Sequence, residues 1–181
     1  MILSLFRKDP LKDAADALFA AAVEQARAPA FYTDFAVEDT VEGRFELLTL
    51  HIFLLLRRLK GAEGQSKRLA QHLLDSFFAN LDASLREMGV GDLSVGRKIR
   101  GLAEAFYGRI GAYQHAMTET DPQLLEETLA RNVYETTEPA AGAALAAYVR
   151  RASASLDEQP LGRLVSGIAA YPAPLAAGEP L

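Results

Sequence analysis

The chain has 181 residues, of which 50% are hydrophobic and 24% charged, the composition of a globular protein with one sizeable core. It contains no cysteine, which excludes disulfides, thiolate nucleophiles and cysteine-ligated metals. The formal net charge of −5 argues against nucleic-acid binding through a basic surface, although short basic clusters such as Arg57-Arg58-Lys60 and Lys67-Arg68 occur.

The first predicted helix begins at Asp9-Pro10, where a capping carboxylate precedes a proline at the first helical position. It ends near Ala28, because Pro29 cannot continue it. The stretch PAFYTDFAVEDT, which begins at Pro29, is predicted to be a connection. The N-terminal MILSLFRKDP has too short an apolar run for a signal peptide, so it is expected to pack on the domain, to fray or to touch a membrane surface.

The second helix is predicted over residues 41–60 and includes the most hydrophobic stretch, FELLTLHIFLLLRRL. At about 1.5 Å per residue this stretch spans roughly 22 Å, which is less than the roughly 30 Å of a bilayer core. It also carries Glu46, His51 and two arginines. These features predict a buried central helix and not a transmembrane span.

The remaining chain continues the helical pattern without any sustained alternation typical of strands. Further helices are predicted over residues 66–88, 94–118, 122–134, 139–155 and 161–169. The fold class is therefore all-α, a single compact helical domain of about seven helices over residues 10–170. An N-terminal segment, residues 1–9, precedes this domain, and a flexible Pro/Ala-rich tail, residues 171–181, follows it.

Sequence signals of catalysis are lacking. The three histidines have no metal-ligand spacing, and the chain has no phosphate-binding glycine motif and no GxSxG motif. We therefore predict no catalytic residue, no cofactor and no metal. His51 is the one candidate for a buried titratable group, and we expect a core histidine bonded to the backbone or to a carboxylate. A small-molecule enzyme with a pocket near His51 is the less favoured alternative.

The stretch VGRKIRGLAEAFYGRIGAY, residues 95–113, contains three glycines inside a regular helix. On a helical wheel one broad face is apolar and belongs to the core. Opposite it lies a stripe of small residues with basic residues at its rims, and the ring of Tyr107 lies at the edge of the apolar face. The candidate partner-binding residues on and around this stripe are Arg97, Lys98, Gly101, Ala105, Tyr107, Gly108, Arg109 and Ala112.

Small residues on one helix face allow another backbone to come close. The sequence is compatible with two kinds of element packed on the small-residue stripe. One is another helix of the same domain, which would bury the stripe. The other is a partner that is amphipathic, or helical and acidic, received in a shallow groove with basic rims.

Three stretches carry a resemblance to a known family: PAFYTDFAVEDTVEGRFELLTLHIFLLLRRL (29–59), LDASLREMGVGDLSVGRKIRGLAEAFYGRIGAY (81–113) and LARNVYE (129–135). They resemble the ubiquinol–cytochrome c chaperone family, the bacterial relatives of the mitochondrial assembly factor of the cytochrome bc1 complex. The resemblance covers about residues 10–170. The MILxLF-like start is also similar to that of bacterial members.

The resemblance implies a non-enzymatic chaperone that binds cytochrome b, nascent or newly inserted, or another bc1 subunit, and promotes assembly of the complex. It implies a cytoplasmic protein, peripheral to the cytoplasmic face of the inner membrane, with no nucleic-acid partner. The mitochondrial member also works with a small partner protein. The alternative function is a peripheral helical scaffold without a specific client, held to the membrane by the N-terminal segment and the basic clusters.

Overall fold

The computed structural model describes residues 9–61 and 63–175. Within those ranges the chain forms eight α-helices and one 3₁₀ turn, Pro139–Gly142, and no strand. The predicted all-α fold is confirmed. The helices are α1 (Pro10–Ala26), α2 (Ala30–Thr33), α3 (Val41–Leu59), α4 (Gln65–Glu87), α5 (Asp92–Thr118), α6 (Gln123–Val133), α7 (Ala143–Glu158) and α8 (Leu161–Val165).

Three helix starts are capped by side chains, and the first of these caps is the one that the sequence predicts. The Asp9 carboxylate accepts a hydrogen bond from the backbone N–H of Leu11 at 3.1 Å, ahead of Pro10. The Asp121 carboxylate accepts from the N–H of Gln123 at 2.9 Å. The Thr40 hydroxyl accepts from the N–H of Gly43 and caps α3. Each bond satisfies a backbone donor that the first helical turn leaves without a partner.

Helix α3 is the central element, as the sequence predicts. It contacts α1, α4, α5, α6 and α7. Most of its residues are buried, including the run from Leu50 to Leu55. A helix that is apolar around most of its circumference is stable only when neighbours surround it. The other long helices therefore lie around α3 and present one apolar face to it.

The directions of the helices follow from contacts between their side chains. Asp9 bonds Arg68, and Asp16 accepts from Ser76, so α1 and α4 run parallel. Helix α5 runs antiparallel to α4, because Gln114 near its end lies by Lys67, whereas Leu102 lies by Leu85. One end of the molecule therefore holds the starts of α1 and α4 together with the ends of α3 and α5.

The segment predicted as a connection contains the short helix α2. Its Phe31 is fully buried and packs edge-on against Tyr148 of α7, with ring centroids 4.9 Å apart. A single turn shows no periodicity in the sequence, so burial of one aromatic side chain, and not helix propensity, stabilises it. The eight helices exceed the predicted seven because of this turn.

Residues 171–175, which the sequence assigns to a flexible tail, lie against the core. The Tyr171 hydroxyl donates to the backbone oxygen of His51 at 3.1 Å. The backbone oxygen of Pro172 accepts from the Gln25 amide at 2.9 Å, and that of Leu175 accepts from Arg151. The predictions for residues 1–8 and 176–181 lie outside the described residues.

Candidate functional site

The small-residue stripe of α5 faces open space. A Cβ atom added to Gly101, Gly108 or Gly111 would meet no heavy atom of the described residues within 4 Å, apart from the neighbouring backbone of α5 itself. Gly101 and Gly108 are exposed, and Ala105 and Ala112 are half-buried. Another helix of the described chain does not cover the stripe, so that alternative from the sequence is wrong. The stripe is a surface.

Beside the stripe lies a groove between α5, the first turns of α3 and the C-terminal ends of α1 and α4. It consists of two adjoining cavities that share Val41, Glu42, Phe45 and Leu102. We call it the α3–α5 groove. The stripe residues Gly101 and Ala105 form part of its wall.

The first cavity of the α3–α5 groove has a volume of about 700 Å³ and a mostly apolar lining. Exposed Val41 and Met88 lie at its mouth, with 59% and 54% of their surfaces accessible. Three basic side chains, Arg27, Arg44 and Lys98, also line it. An apolar depression with cations at its edge is a common form of peptide-binding site.

The second cavity has a volume of about 610 Å³ and is more acidic. Glu38, Glu42, Glu46 and Glu135 contribute to its lining, with Arg109 as the basic residue among them. The α3–α5 groove therefore has a basic end and an acidic end. An occupant of the whole groove would meet opposite charges at its two ends.

An ion pair between α5 and α3 lies in the second cavity. The Nε atom of Arg109 donates to the Oε2 atom of Glu46 at 2.5 Å, and Arg109 also lies over the Phe45 ring. The Glu46 side chain is only 7% exposed. Burial raises the pKa of Glu46, and the hydrogen bond from Arg109 opposes that rise. Arg109 thus serves the fold by compensating a buried carboxylate.

Two non-glycine residues at the second cavity have left-handed backbone conformations. Ala36 has a φ of 54° and Glu135 a φ of 51°. The Tyr134 hydroxyl donates to the Phe35 oxygen at 2.9 Å and ties the two segments together. Close by, a Cβ added to Gly43 would lie 2.0 Å from the Glu38 oxygen. Such strained positions persist only where surrounding contacts fix them, so this wall of the groove has a defined shape.

The predicted site residues do not all lie on one surface. Lys98 and Gly101 line the first cavity, while Ala105 and Arg109 line the second. Tyr107 is nine residues from Lys98, which places it half a turn away on the opposite side of α5. There the Tyr107 ring lies 6.2 Å from the Phe78 ring and is 56% exposed. Arg97, Gly108 and Ala112 belong to the helix, but the lining of the two cavities does not include them.

His51 is a structural histidine of the core, as the sequence predicts. It is fully buried, with its Nδ1 atom 2.7 Å from the Leu47 oxygen and its Nε2 atom 2.8 Å from the Tyr148 hydroxyl. The carbonyl can only accept, so Nδ1 carries the proton and Nε2 accepts from Tyr148. Burial lowers the pKa of His51 to about 4. Both ring nitrogens are occupied, and nothing in this arrangement favours an enzyme centred on His51.

Sequence reasoning missed the α3 side of the groove. Val41, Glu42 and Phe45 belong to the first turns of α3, where the sequence predicts only a buried helix. The sequence carries no direct signal for this side, because Val41 and Met88 come to lie beside the stripe, and stay exposed, only after α3, α4 and α5 pack together.

Two further properties bear on function. Among residues 9–61 and 63–175, no helix is long and apolar enough to cross a bilayer. In the same ranges, no group of three or more histidine, aspartate or glutamate side chains is arranged to hold a metal ion.

Comparisons with known proteins identify the family. A sequence profile described as ubiquinol-cytochrome C chaperone matches residues 33–171. The chain belongs to this family, and the resemblance in its sequence is confirmed. It is 24% identical over 154 residues to ubiquinol-cytochrome-c reductase complex assembly factor 1 of Xenopus laevis, covering 84% of this chain and 76% of that protein.

A crystal structure of the Cbp3 homolog from Brucella abortus has the same fold. The two chains are 38% identical and superpose with a TM-score of 0.84. The match covers 96% of this chain and 98% of the other. The likeness therefore extends over almost the whole helical domain, including the elements that form the α3–α5 groove.

Proposed function

We propose that this protein is a non-enzymatic assembly chaperone of the cytochrome bc1 complex, and that cytochrome b is its client. Two observations support the general role: the chain's membership of a family described as ubiquinol-cytochrome C chaperones, and its relation to an assembly factor of ubiquinol-cytochrome-c reductase. The choice of cytochrome b as the client is more specific than this role, and it rests on what the resemblance in the sequence implies.

The uncovered stripe of α5 is the observation that carries the proposed binding site. A glycine in the interior of an exposed helix costs about 1 kcal/mol relative to alanine and brings no packing in return. Gly101 and Gly108 have free space in front of them, so the fold itself does not need them. A ligand whose backbone lies close to α5 supplies a reason for their presence.

The charges of the groove define the kind of client segment that fits. The first cavity offers apolar surface with Arg27, Arg44 and Lys98 around it, and the second offers carboxylates. A short amphipathic segment with an acidic end and a basic end would be complementary to both.

The candidate residues take different roles in this proposal. Lys98, Gly101 and Ala105 contact the client in the groove, and Arg97, Gly108 and Ala112 continue that surface along the stripe. Tyr107 offers an exposed aromatic ring on the far side of α5. Arg109 positions Glu46 and the groove wall instead of contacting the client directly. We place the protein at the cytoplasmic face of the inner membrane, where the client is inserted.

Filling the stripe tests the site. The double variant Gly101→Leu/Gly108→Leu adds bulk where no described atom stands in the way, and leucine favours helix more than glycine. We expect the variant to fold and to lose capture of cytochrome b in a pull-down from solubilised membranes. Gly96→Leu is the matched control, since Gly96 also has open space but lies away from the stripe. Undiminished capture by the double variant would remove the stripe from the proposal.

Deletion of the gene tests the function itself. Difference spectra of the membranes should lose the b- and c1-type signals of the bc1 complex, while other haem proteins keep theirs. Restoration by the wild-type gene and not by the Gly101→Leu/Gly108→Leu gene would connect the function to the stripe. Normal bc1 spectra in the deletion strain would contradict the proposed function.

A further inference from the structure

A third cavity lies at the other end of α5, away from the α3–α5 groove. Its volume is about 380 Å³, and it lies where α3 ends and α4 begins, beside the C-terminal part of α5. Its apolar residues are Phe53, Leu56, Leu59, Ala70 and Ile110, and its basic residues are Arg57, Lys60 and Lys67. We call it the basic-apolar pocket.

The two arginines at the end of α3 have different surroundings. Arg58 donates to the backbone oxygens of Leu156 and Gln159, both at 2.8 Å, and so satisfies carbonyls at the end of α7. Within the described part of the chain Arg57 makes one hydrogen bond, from Nε to the Ser153 hydroxyl at 3.2 Å, and it lines the basic-apolar pocket. The guanidinium of Arg58 is thus engaged in the fold, whereas that of Arg57 has donors left over.

The charges of the pocket are all of one sign. No carboxylate of residues 9–61 and 63–175 lies within 4.0 Å of a charged nitrogen of Arg57, Lys60 or Lys67, whereas five other arginines of those ranges are paired. In a protein with a net charge of −5, three cations around one apolar depression form a local excess of positive charge. An anion with an apolar body is complementary to this arrangement.

We propose that the basic-apolar pocket binds an anionic phospholipid at the surface of a bilayer. The phosphate would lie among Arg57, Lys60 and Lys67, while the hydrocarbon below it would contact Leu56 and Ile110. Lysine suits this position, because its long stem can lie along apolar surface while its charge stays among headgroups. An acidic peptide without apolar side chains would satisfy the cations but leave the apolar floor uncovered.

The start of α1 supports a membrane-facing role for the same end of the molecule. Asp9 bonds Arg68, the neighbour of Lys67, at 3.0 Å, so the start of α1 lies at the same end of the molecule as the pocket. The sequence that precedes Asp9, MILSLFRK, combines four large apolar residues after Met1 with two cations. Apolar residues together with basic ones are the composition of segments that bind anionic bilayers.

The basic-apolar pocket and the client surface are separate. Gln114 in the pocket lies 13 positions, or roughly 20 Å, along α5 from Gly101 in the groove. It is only two positions from Ala112 at the end of the stripe, but two positions correspond to about 200° of rotation, so the two side chains lie on nearly opposite sides of α5. Bound at the pocket, the protein would keep the stripe clear of the lipid and available to a membrane-inserted client. The lipid proposal does not depend on which client is bound.

Vesicle flotation of the full chain tests the proposal. We expect binding to phosphatidylcholine vesicles that contain phosphatidylglycerol, and little binding to phosphatidylcholine alone. Each cation near an anionic surface changes the partition coefficient by about fivefold, so Lys60→Gln/Lys67→Gln should weaken binding by more than tenfold. Arg100→Gln/Arg131→Gln is the matched control: both residues are exposed, outside the pocket, and the charge change is the same. The proposal would be overturned if both double variants lost vesicle binding equally, or if Lys60→Gln/Lys67→Gln bound the vesicles as well as the wild type does.

A reporter separates a lipid from a free anion. The chain has no tryptophan, so Gln114→Trp places a single indole at the half-buried edge of the pocket. Its emission should shift to shorter wavelength with the anionic vesicles and stay unchanged with inorganic phosphate. The same response to phosphate would reduce the pocket to an anion site and refute the lipid. Vesicle binding with no change in emission would assign the bilayer contact elsewhere. Neither of these outcomes would change the capture of cytochrome b, so the lipid proposal and the chaperone proposal can fail independently.

Discussion

The Nε atom of Arg109 on α5 lies 2.5 Å from the Oε2 atom of Glu46 on α3, in the wall between the core and the α3–α5 groove. The pair joins residues 63 positions apart in the chain. It fixes the side of α5 that carries Ala105 against the first turns of α3, and thereby sets the width of the second cavity. The arginine that the sequence assigns to a client thus belongs to the wall against which a client would lie.

Removal of Arg109 should destabilise the protein. In Arg109→Met the Glu46 carboxylate stays buried without its partner. Breaking a fully buried pair costs about 3–5 kcal/mol, and we expect about 2–3 kcal/mol here because a quarter of the Arg109 side chain is exposed. Urea unfolding measures the change. The double variant Glu46→Met/Arg109→Met should recover most of the loss; if it is as unstable as the single variant, the pair does not explain the cost.

His51 should remain neutral in the folded protein down to about pH 4. In the unfolded chain its pKa returns to about 6.5, so between these values the unfolded state binds more protons. Stability from this group is fully present above pH 6.5 and is lost as the pH falls towards 4, by up to about 3 kcal/mol. Imidazole NMR shifts of His51 measure the titration directly, and should also show the proton on Nδ1. A midpoint near pH 6.5 would refute the buried, neutral ring.

Glu46 has the opposite pH dependence and must be separated from His51. Burial raises its pKa in the folded state, so its contribution to stability is greatest below its unfolded pKa and is lost as the pH rises through the folded pKa. In mildly acidic solution the two groups therefore change the free energy of unfolding in opposite directions as the pH falls. The Glu46→Gln variant removes one of them, and its unfolding free energy should fall more steeply between pH 6.5 and pH 4 than that of the wild type.

Local signals in the sequence predicted most of the fold. The Asp9-Pro10 start of α1 and its end before Pro29 each depend on neighbours within one or two turns, and both are found in the structure. The apolar run of α3 predicts a central helix for the same kind of reason. Helix bounds differ from prediction by only a few residues, since end residues fray or take other turn conformations.

The candidate site depends on contacts between distant residues, so only part of it was predictable. A helical wheel places Arg109 beside the stripe, but it cannot show that Glu46 of α3 lies within reach. The wheel likewise shows the small-residue stripe and not its exposure, which depends on how α4 and α6 pack beside α5. The stripe was therefore predictable as a feature of α5, whereas the groove arises only from the packing of several helices.

Residues 171–175 should contribute to stability although they form no helix. A chain that ends at Ala170 loses the Tyr171 hydroxyl bond to the His51 oxygen, the Tyr171 ring against the imidazole at 5.2 Å, and the Pro172 oxygen that accepts from Gln25. We expect a loss of about 2–4 kcal/mol from the buried aromatic ring and the two broken hydrogen bonds. Chemical unfolding of the truncated chain measures the loss. A chain that ends at Leu175 is the control, because it keeps each of these contacts.

Replacement of the stripe glycines by alanine should stabilise the protein, whereas replacement of Gly43 in α3 by alanine should destabilise it. Gly101 and Gly108 have ordinary helical backbone and open space, so Gly101→Ala and Gly108→Ala should each add about 0.5–1 kcal/mol to the free energy of unfolding. Gly43→Ala would place a methyl group 2.0 Å from the Glu38 oxygen and should destabilise the start of α3. Thermal unfolding compares the three, with Gly96→Ala as a reference for an exposed glycine of α5 outside the stripe. The same variants can be tested for capture of cytochrome b. If they are more stable than the wild type yet capture less cytochrome b, the stripe glycines are retained for binding at a cost in stability. If both the free energy of unfolding and the capture of cytochrome b rise, close contact of a client backbone with α5 is contradicted.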